Sequence, residues 1–206
     1  MNRTMVAFAF VCAAIASNVR AHELDETVLA TQLSVSAGRY EIEIIVRPGV
    51  LTAMDLLRRL DDDRDGQVAE AELNRYAQGV NAGISLRVDG QAVPSRLTGA
   101  KCATTEELDR GVGVVRIFAD APAPSIPGHH VIEYVNGYDD SVSFLTNTMA
   151  PMDTDVSITS QTRDQNQRNL RVEYEVADAP TIPWTAIGVT CLLCLIGLRF
   201  REAQLR

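Results

Sequence analysis

Three features of the sequence predict its fold class. Short stretches in which apolar and polar residues alternate recur between residues 27 and 176, bounded by Gly, Pro, Asn or Asp. One interval, 50–80, instead repeats apolar residues at helical spacing around an Asp-rich loop. A last apolar run, 184–198, is followed at once by arginines. Together they predict a mainly β (α+β) protein: an antiparallel, Ig-like β-sandwich with an inserted helix–loop–helix and a C-terminal transmembrane helix.

The predicted strands begin with a hairpin. A turn at Ala37-Gly38 joins its two strands, and Pro48-Gly49 ends the second strand before the helical insert. Beyond the insert, Asp89-Gly90 is a strong hairpin turn. The predicted strands are 27–35, 40–46, 84–88, 91–97, 112–119, 129–136, 142–148, 156–159 and 170–176. The predicted connections are the polar loops 101–110 and 160–169 and the proline-rich, stiff segment 121–128.

The Asp-rich loop is the most specific motif. Residues 61–72 read DDDRDGQVAEAE, and the EF-hand pattern requires acids at positions one, three and five, Gly at six and Glu at twelve. Those positions hold Asp61, Asp63, Asp65, Gly66 and Glu72. Ca²⁺ takes roughly 6–8 oxygen ligands at about 2.3–2.6 Å, so short carboxylates must converge from a sharply turned backbone. The resemblance to the EF-hand family implies a calcium site that Glu72 closes with both oxygens.

The remaining loop positions complete this expectation. Gln67, at position seven, would contribute its backbone carbonyl, and a water would serve at Ala69, which has no ligating side chain. EF-hands usually work in pairs, whereas this sequence has one such loop. We therefore expect Val68 to pack against other parts of the domain. A dissociation constant of roughly 10⁻⁴–10⁻³ M would suit the high calcium of an extracytoplasmic compartment.

The residues on either side of the loop predict two helices, which place the insert at 50–80, between the second and third strands. Apolar residues at helical spacing precede and follow the loop. They are Val50, Met54, Leu57 and Leu60 before it, and Leu73, Tyr76, Ala77 and Val80 after it. Gly79 and Gly83 lie where the second helix should end.

The two ends of the sequence predict its location. Arg3, an apolar run and Val19-Arg20-Ala21 indicate a signal peptide, 1–21, whose removal leaves His22 first. The other predicted segments are the extracytoplasmic domain 22–178, a linker 179–183, a transmembrane helix 184–200 and a cytoplasmic tail 201–206. The arginines after the span set its orientation. We therefore expect a single-pass protein of a bacterial inner membrane, with its domain in the periplasm.

Composition excludes several classes of function. The 206 residues carry a formal net charge of −8, which argues against nucleic acid and favours cations as ligands. No arrangement of Ser-His-Asp or Cys-His stands out, and the calcium loop accounts for the clustered aspartates, so we expect no enzymatic activity. Cys102 is the one cysteine of 22–178, so a disulfide there could only be intermolecular.

A longer stretch of the sequence resembles a second family. The start Ala21-His22-Glu23-Leu24-Asp25-Glu26, the hairpin after it, the Asp-rich insert and the Asp89-Gly90 turn resemble the extracytoplasmic N-terminal domain of HupE/UreJ-type membrane proteins. That family is associated with metal supply to hydrogenase and urease and continues into a multi-helix membrane domain with histidines and acids. This sequence has one predicted span without histidine. The resemblance therefore implies a sensing or binding domain without the channel.

Two functions follow from these observations. The first is a membrane-anchored calcium-binding protein, in which calcium orders the EF-hand, stabilises the domain and prepares a surface for a membrane or periplasmic protein partner. The alternative is a periplasmic protein that binds a transition metal, nickel or copper. A mature N-terminal His22 offers an amine and a ring nitrogen. His129 and His130 point to opposite faces of a strand, so at most one of them could join it.

Overall fold

Two five-stranded sheets form most of the described part of the chain. The structure, a computed structural model, describes residues 25–138, 144–152 and 154–178. The strands are β1 (Val28–Ser36), β2 (Arg39–Arg47), β3 (Ile84–Val88), β4 (Gln91–Val93), β5 (Arg96–Cys102), β6 (Val115–Pro122), β7 (Gly128–Asn136), β8 (Phe144–Pro151), β9 (Val156–Arg163) and β10 (Asn169–Val176). The helices of these residues are α1 (Ala53–Leu60), α2 (Glu70–Ala82) and α3 (Thr105–Asp109). The chain is mainly β, as the sequence predicts.

The strand order is β5–β6–β2–β1–β8 in the first sheet and β4–β3–β7–β10–β9 in the second. Among the described strand pairs, β1 and β8 run parallel, with Leu33 opposite Met149, and the other pairs are antiparallel. The sequence predicts antiparallel sheets throughout. Alternation cannot reveal the exception, because it reports which face a side chain occupies and not the direction of the neighbouring strand.

Both sheets contribute to one apolar core. Leu33 of β1, Ile44 of β2 and Val172 of β10 are fully buried members of it. Burial of such a side chain stabilises the fold by about 1.5–3 kcal/mol. The hydroxyl groups of Tyr40 and Tyr174, which belong to different sheets, form a buried hydrogen bond of 2.6 Å. The core thus satisfies these two polar atoms within the layer that joins the sheets.

The helical insert leaves the first sheet after β2 and reaches the second sheet at β3. Its first helix begins later than predicted, because residues 50–52 form a turn in which Thr52 Oγ1 accepts the N–H of Gly49. The predicted apolar face of this helix is therefore wrong in part. Val50 and Met54 are exposed, whereas Leu56 is buried.

The second helix agrees with its prediction. Tyr76, Ala77 and Val80 of α2 are buried in the core. The helix ends at Ala82, and Gly83 follows it. A Cβ at Gly83 would lie 2.9 Å from Tyr138, so the close approach of these backbones requires a glycine. The helix is thereby anchored where the second sheet begins.

Several predicted boundaries differ from the observed ones. The predicted strand 91–97 is two strands, β4 and β5, because Pro94 interrupts the run and the chain changes sheets there. The predicted loop 101–110 contains α3, which starts with a reciprocal capping box between Thr104 and Glu107. The predicted loop 160–169 is shorter, since β9 continues to Arg163. These differences leave the two-sheet architecture unchanged.

The predictions about the two ends of the chain concern residues that the structure does not describe. The signal peptide 1–21, the linker 179–183, the transmembrane helix 184–200, the tail 201–206 and His22 lie outside the described residues. Within residues 25–138, 144–152 and 154–178, no helix has the length and apolarity needed to cross a membrane.

Candidate metal centre

The loop between α1 and α2 is wound tightly by two residues with positive φ. Arg64 has φ of 64° and Gly66 has φ of 87°. No atom lies within 4 Å of the position of a Cβ at Gly66, so its backbone conformation alone, and not a close contact, favours glycine there. The loop begins at Asp61, whose N–H still donates to the carbonyl of Leu57 at the end of α1. The turn predicted from Gly66 is thus confirmed.

Three predicted ligands converge inside this loop. Carboxylate oxygens of Asp61, Asp63 and Asp65 all lie within 4.8 Å of one another. The backbone fixes them there: the N–H of Asp65 donates to Asp61 Oδ1 and Asp63 Oδ1 at 3.1 Å each, and that of Gly66 donates to Asp61 Oδ2 at 3.0 Å. Asp61 is half-buried, while Asp63 and Asp65 are exposed. The site is therefore ordered by main-chain donors and open to solvent.

The spacing of these oxygens fits a calcium ion. Two ligands of one Ca²⁺, each about 2.3–2.6 Å from it, lie at most about 5 Å apart. The oxygens of Asp61, Asp63 and Asp65 meet this limit. Three carboxylates at such distances repel one another, which a divalent cation would reverse. Exposed acidic groups also cluster without a metal, so the choice of calcium rests on the loop pattern as well as on these distances.

Glu72 accepts hydrogen bonds from the main chain of the loop, and its predicted role as the ligand that closes the site stays a prediction. Its Oε1 accepts the N–H groups of Asp62 and Asp63, at 2.7 and 3.2 Å, and its Oε2 accepts that of Ala69 at 2.9 Å. The side chain is buried, and these donors, that of Ala69 first, hold its pKa below the usual value. Glu72 therefore caps α2 and clamps the start of the loop, outside the three-aspartate cluster.

The other loop positions are less constrained. Gln67 is exposed, and its N–H donates to Asp65 Oδ1 at 2.8 Å. Its predicted role as a carbonyl ligand stays a prediction. Val68 packs half-buried against the core, as expected of a loop without a partner loop. Outside the ligand positions, Arg75 of α2 pairs with Asp62 at 2.6 Å, and both side chains are mostly exposed.

The two histidines of the described residues, His129 and His130, do not form a second centre with these acids. Both ring nitrogens of His130 are already engaged, Nδ1 with Asp89 Oδ2 and Nε2 with the carbonyl of Ile126, at 2.8 Å each. His129 lies 3.6 Å from Glu173 and is half exposed. A transition metal at His22 stays a prediction, because that residue lies outside the described part. Burial raises the pKa of the Cys102 thiol to about 11, so this cysteine is a poor nucleophile and metal ligand.

The partners of His130 had no signal in the sequence. Asp89 is 41 residues away from it along the chain and was recognised only as part of a hairpin turn. Ile126 contributes a backbone carbonyl, which any residue type supplies. Comparison of the chain with protein-family models and with curated proteins finds no match.

Proposed function

We propose that this chain is a membrane-anchored, extracytoplasmic calcium-binding protein, in which the ion orders an EF-hand inserted in an Ig-like β-sandwich. The observation that supports it is the convergence of Asp61, Asp63 and Asp65 within 4.8 Å, in a loop whose main-chain N–H groups hold those carboxylates in place. The signal-peptide pattern and the C-terminal apolar run support the location. The resemblance to HupE/UreJ-type proteins supports a binding domain that acts beside a membrane system for metal ions.

Charge neutralisation is the physical basis of calcium binding. The three aspartates repel one another in the ion-free protein, and two unit charges about 4 Å apart near a protein surface interact by roughly 4 kcal/mol. Ca²⁺ between them replaces repulsion by attraction. Because the unfolded chain lacks the site, binding stabilises the fold by RT ln(1 + [Ca²⁺]/Kd), roughly 2.7 kcal/mol at about 100 times Kd.

The site is connected to the core through both helices. Asp61 directly follows α1, whose Leu56 and Leu60 are buried, and Glu72 lies in the first turn of α2, whose Tyr76 is buried. An ion held by Asp61, Asp63 and Asp65 fixes the loop that follows α1, and the hydrogen bonds from Asp62 and Asp63 to Glu72 connect this loop to the start of α2. Ordering the loop therefore also restrains the two helices, whose buried side chains are part of the apolar core.

The same insert also carries an exposed apolar surface that a protein partner could contact. Val50 and Leu51 in the turn before α1 and Met54 in its first turn are 45%, 71% and 49% exposed. Adjacent exposed apolar side chains of this kind are typical of protein contact surfaces. Because α1 leads directly into the calcium loop, calcium would steady this surface for a membrane or periplasmic protein partner.

Thermal unfolding of the full chain in detergent tests calcium binding. Millimolar Ca²⁺ added after chelator treatment should raise the Tm, with much less response to Mg²⁺, which requires a smaller octahedral shell. Asp61→Ala should remove most of the rise, and so should Glu72→Gln, since the loop pattern predicts that Glu72 closes the site. Glu70→Gln is the matched control, since this exposed glutamate of the same helical turn is outside the ligand pattern.

Calorimetric titration gives the stoichiometry that the proposal requires, one calcium per loop. A Tm that stays constant up to several times about 10⁻³ M Ca²⁺, the weakest range of these loops, would overturn the proposal. An equal loss of response in the Glu70→Gln control would show that general charge, and not the site, is responsible.

A further inference from the structure

His130 lies at one end of the two sheets and contacts three different segments. Its ring is 12% exposed and is packed 5.7 Å, centroid to centroid, from Tyr174 of β10. Nδ1 lies 2.8 Å from Asp89 Oδ2 in the β3–β4 turn, and Nε2 lies 2.8 Å from the carbonyl of Ile126 in the connection between β6 and β7. One side chain of β7 thus holds two loops that are distant in sequence.

The protonation state of this ring follows from its partners. A carboxylate oxygen and a backbone carbonyl are both acceptors. Neutral imidazole has one N–H and one lone pair, so it can satisfy either Asp89 or Ile126, while its lone pair faces the oxygen of the other. Imidazolium donates to both. The observed geometry is therefore that of the charged ring.

These contacts bring the two sheets together at this end. Asp89 has φ of 50° and exchanges hydrogen bonds with Val131 of β7, its N–H donating to the carbonyl and its Oδ1 accepting the N–H, at 2.9 Å each. The connection that contains Ile126 is hydrogen-bonded to the β1–β2 turn of the first sheet, through Gly38 N–H to Pro124 O at 3.1 Å. His130 therefore links a turn of the second sheet to a connection held by the first.

The ionisable groups around the ring favour its charge. Asp89 faces it from the β3–β4 turn and Glu175 from β10, while Tyr174 of β10 and Tyr40 of β2 are kept neutral by burial, which raises the pKa of each phenol. The charge of the neighbouring His129 lowers the pKa of Asp89. Residues 123–127 of the connection contain no ionisable side chain.

The balance between burial and hydrogen bonding determines the direction in which the pKa values of His130 and Asp89 shift. Burial lowers the pKa of His130, but the bonds to Ile126 and Asp89 outweigh it and hold that pKa above its usual value. Burial also raises the pKa of Asp89, but the N–H of Val131 and the ring of His130 outweigh it and hold that pKa below its usual value.

We propose that His130 is a pH-dependent clip, whose imidazolium fastens the β3–β4 turn and the β6–β7 connection to β7 and releases them when it loses its proton. A histidine with a raised folded pKa stabilises the fold fully below its unfolded pKa of about 6.5, and this contribution is lost as the pH rises through the folded value. Asp89, whose folded pKa is lowered, contributes fully above its unfolded pKa of about 3.9, so the stabilisation by the clip is complete between roughly pH 4 and pH 6.5, and the folded clip opens as the pH rises through the folded pKa of His130. Alkaline conditions open it, independently of calcium.

Nitrogen-detected NMR of the unmodified full chain in detergent measures the clip directly. Both ring nitrogens of His130 should be protonated at about pH 6, and the titration midpoint should lie above about 6.5. Hydrogen exchange at the N–H groups of Asp89 and Val131, corrected for intrinsic rates, should accelerate above that midpoint. A midpoint at or below about 6.5, or a single protonated nitrogen at pH 6, overturns the proposal.

Variants separate the clip from the general response to pH. The Tm of the unmodified chain should fall by about 2–4 °C more between pH 6 and pH 8.5 than that of His130→Gln, whose amide does not titrate. His129→Gln, on the opposite face of the same strand, removes only the smallest effect on the pKa of Asp89 and should keep most of the pH response. Both comparisons are made in chelator and in saturating Ca²⁺. If His130→Gln keeps the full pH response, or if the response exists only with calcium, His130 is not the clip.

Discussion

Two turns of this molecule use aspartate in opposite ways. In the calcium loop, Asp61, Asp63 and Asp65 face one another and their described partners are main-chain N–H groups. In the β3–β4 turn, the single carboxylate of Asp89 faces the ring of His130. Both turns pass through positive φ and contain a glycine, Gly66 at 87° and Gly90 at 78°. What separates them is the source of the balancing positive charge: under the proposed function it is a dissolved cation for the loop, whereas for the turn it is a side chain of the protein itself.

This difference determines which variable each turn responds to. The loop should respond to calcium, because a divalent cation offsets the repulsion among its converging carboxylates. The β3–β4 turn should respond to pH and not to calcium, because its cation is an imidazole that titrates in this range. Each turn thus serves as the control for the other.

The largest contrast is expected from one substitution made at both turns. Asp63→Asn should weaken calcium binding at least about tenfold, roughly 1.4 kcal/mol, because a ligand charge next to a divalent ion is lost, while the Tm of the ion-free protein should stay unchanged or rise. Asp89→Asn should leave calcium affinity unchanged and lower the Tm at pH 6 by about 2–4 °C. The Asp89 side chain is 46% exposed, so water screens the pair and keeps the effect small.

Calorimetric titration and melting curves in chelator measure the two quantities separately. A loss of stability in ion-free Asp63→Asn as large as that in Asp89→Asn would contradict the comparison. It would mean that the loop carboxylates stabilise the chain through their backbone bonds more than they destabilise it by repulsion.

The sequence predicts these two turns unequally well for a physical reason. The ligand positions of the loop lie within twelve consecutive residues, so their spacing is a property of local backbone winding, and Asp61, Asp63 and Asp65 converge as predicted. The pairing of His130 with Asp89 spans 41 residues and depends on which strands become neighbours. The alternation that predicted both strands gives their faces but not their partners.

Other differences between the predicted and the observed structure have local causes. The capping box of α3 was visible as Thr104 and Glu107 three residues apart, a local signal that the polar composition of its surroundings obscured. The exposed Val50 was assigned to a helix because periodicity does not fix where the first turn begins. The contact of Glu72 with Asp62 and Asp63 could not be predicted from the motif, which describes the ion-bound loop.

A smaller contrast between the two turns is expected from replacing Gly66 or Gly90 by alanine. No atom lies within 4 Å of a Cβ at Gly66 or Gly90, so the expected cost is that of positive φ alone, about 1–2 kcal/mol for each. Both variants should lower the Tm of the ion-free protein by a similar amount. Only Gly66→Ala should also weaken calcium binding, because it strains the turn that brings the aspartates together. Equal calcium affinities in the two variants would show that the loop reaches its ligand geometry without this turn.

The smallest contrast concerns the arginine beside the loop. Arg75 contacts Asp62 at 2.6 Å, and both side chains are mostly exposed. Exposed ion pairs contribute little, about 0–1 kcal/mol, so Arg75→Ala should change the Tm by no more than about 4 °C. Removing its positive charge makes the loop more negative, so calcium affinity should rise, by less than about threefold at low salt.

Arg96→Ala is the control for this last prediction, since it removes an exposed arginine that pairs with Asp120 in the first sheet and lies outside the loop sequence. It should leave calcium affinity unchanged. The rise produced by Arg75→Ala should fade at roughly 1 M salt, where the screening length is only about 3 Å. If calcium affinity falls in Arg75→Ala instead, Arg75 supports the loop through its contact with Asp62, and the excess negative charge is not what attracts the ion. That result would place the source of calcium affinity in loop geometry rather than in charge.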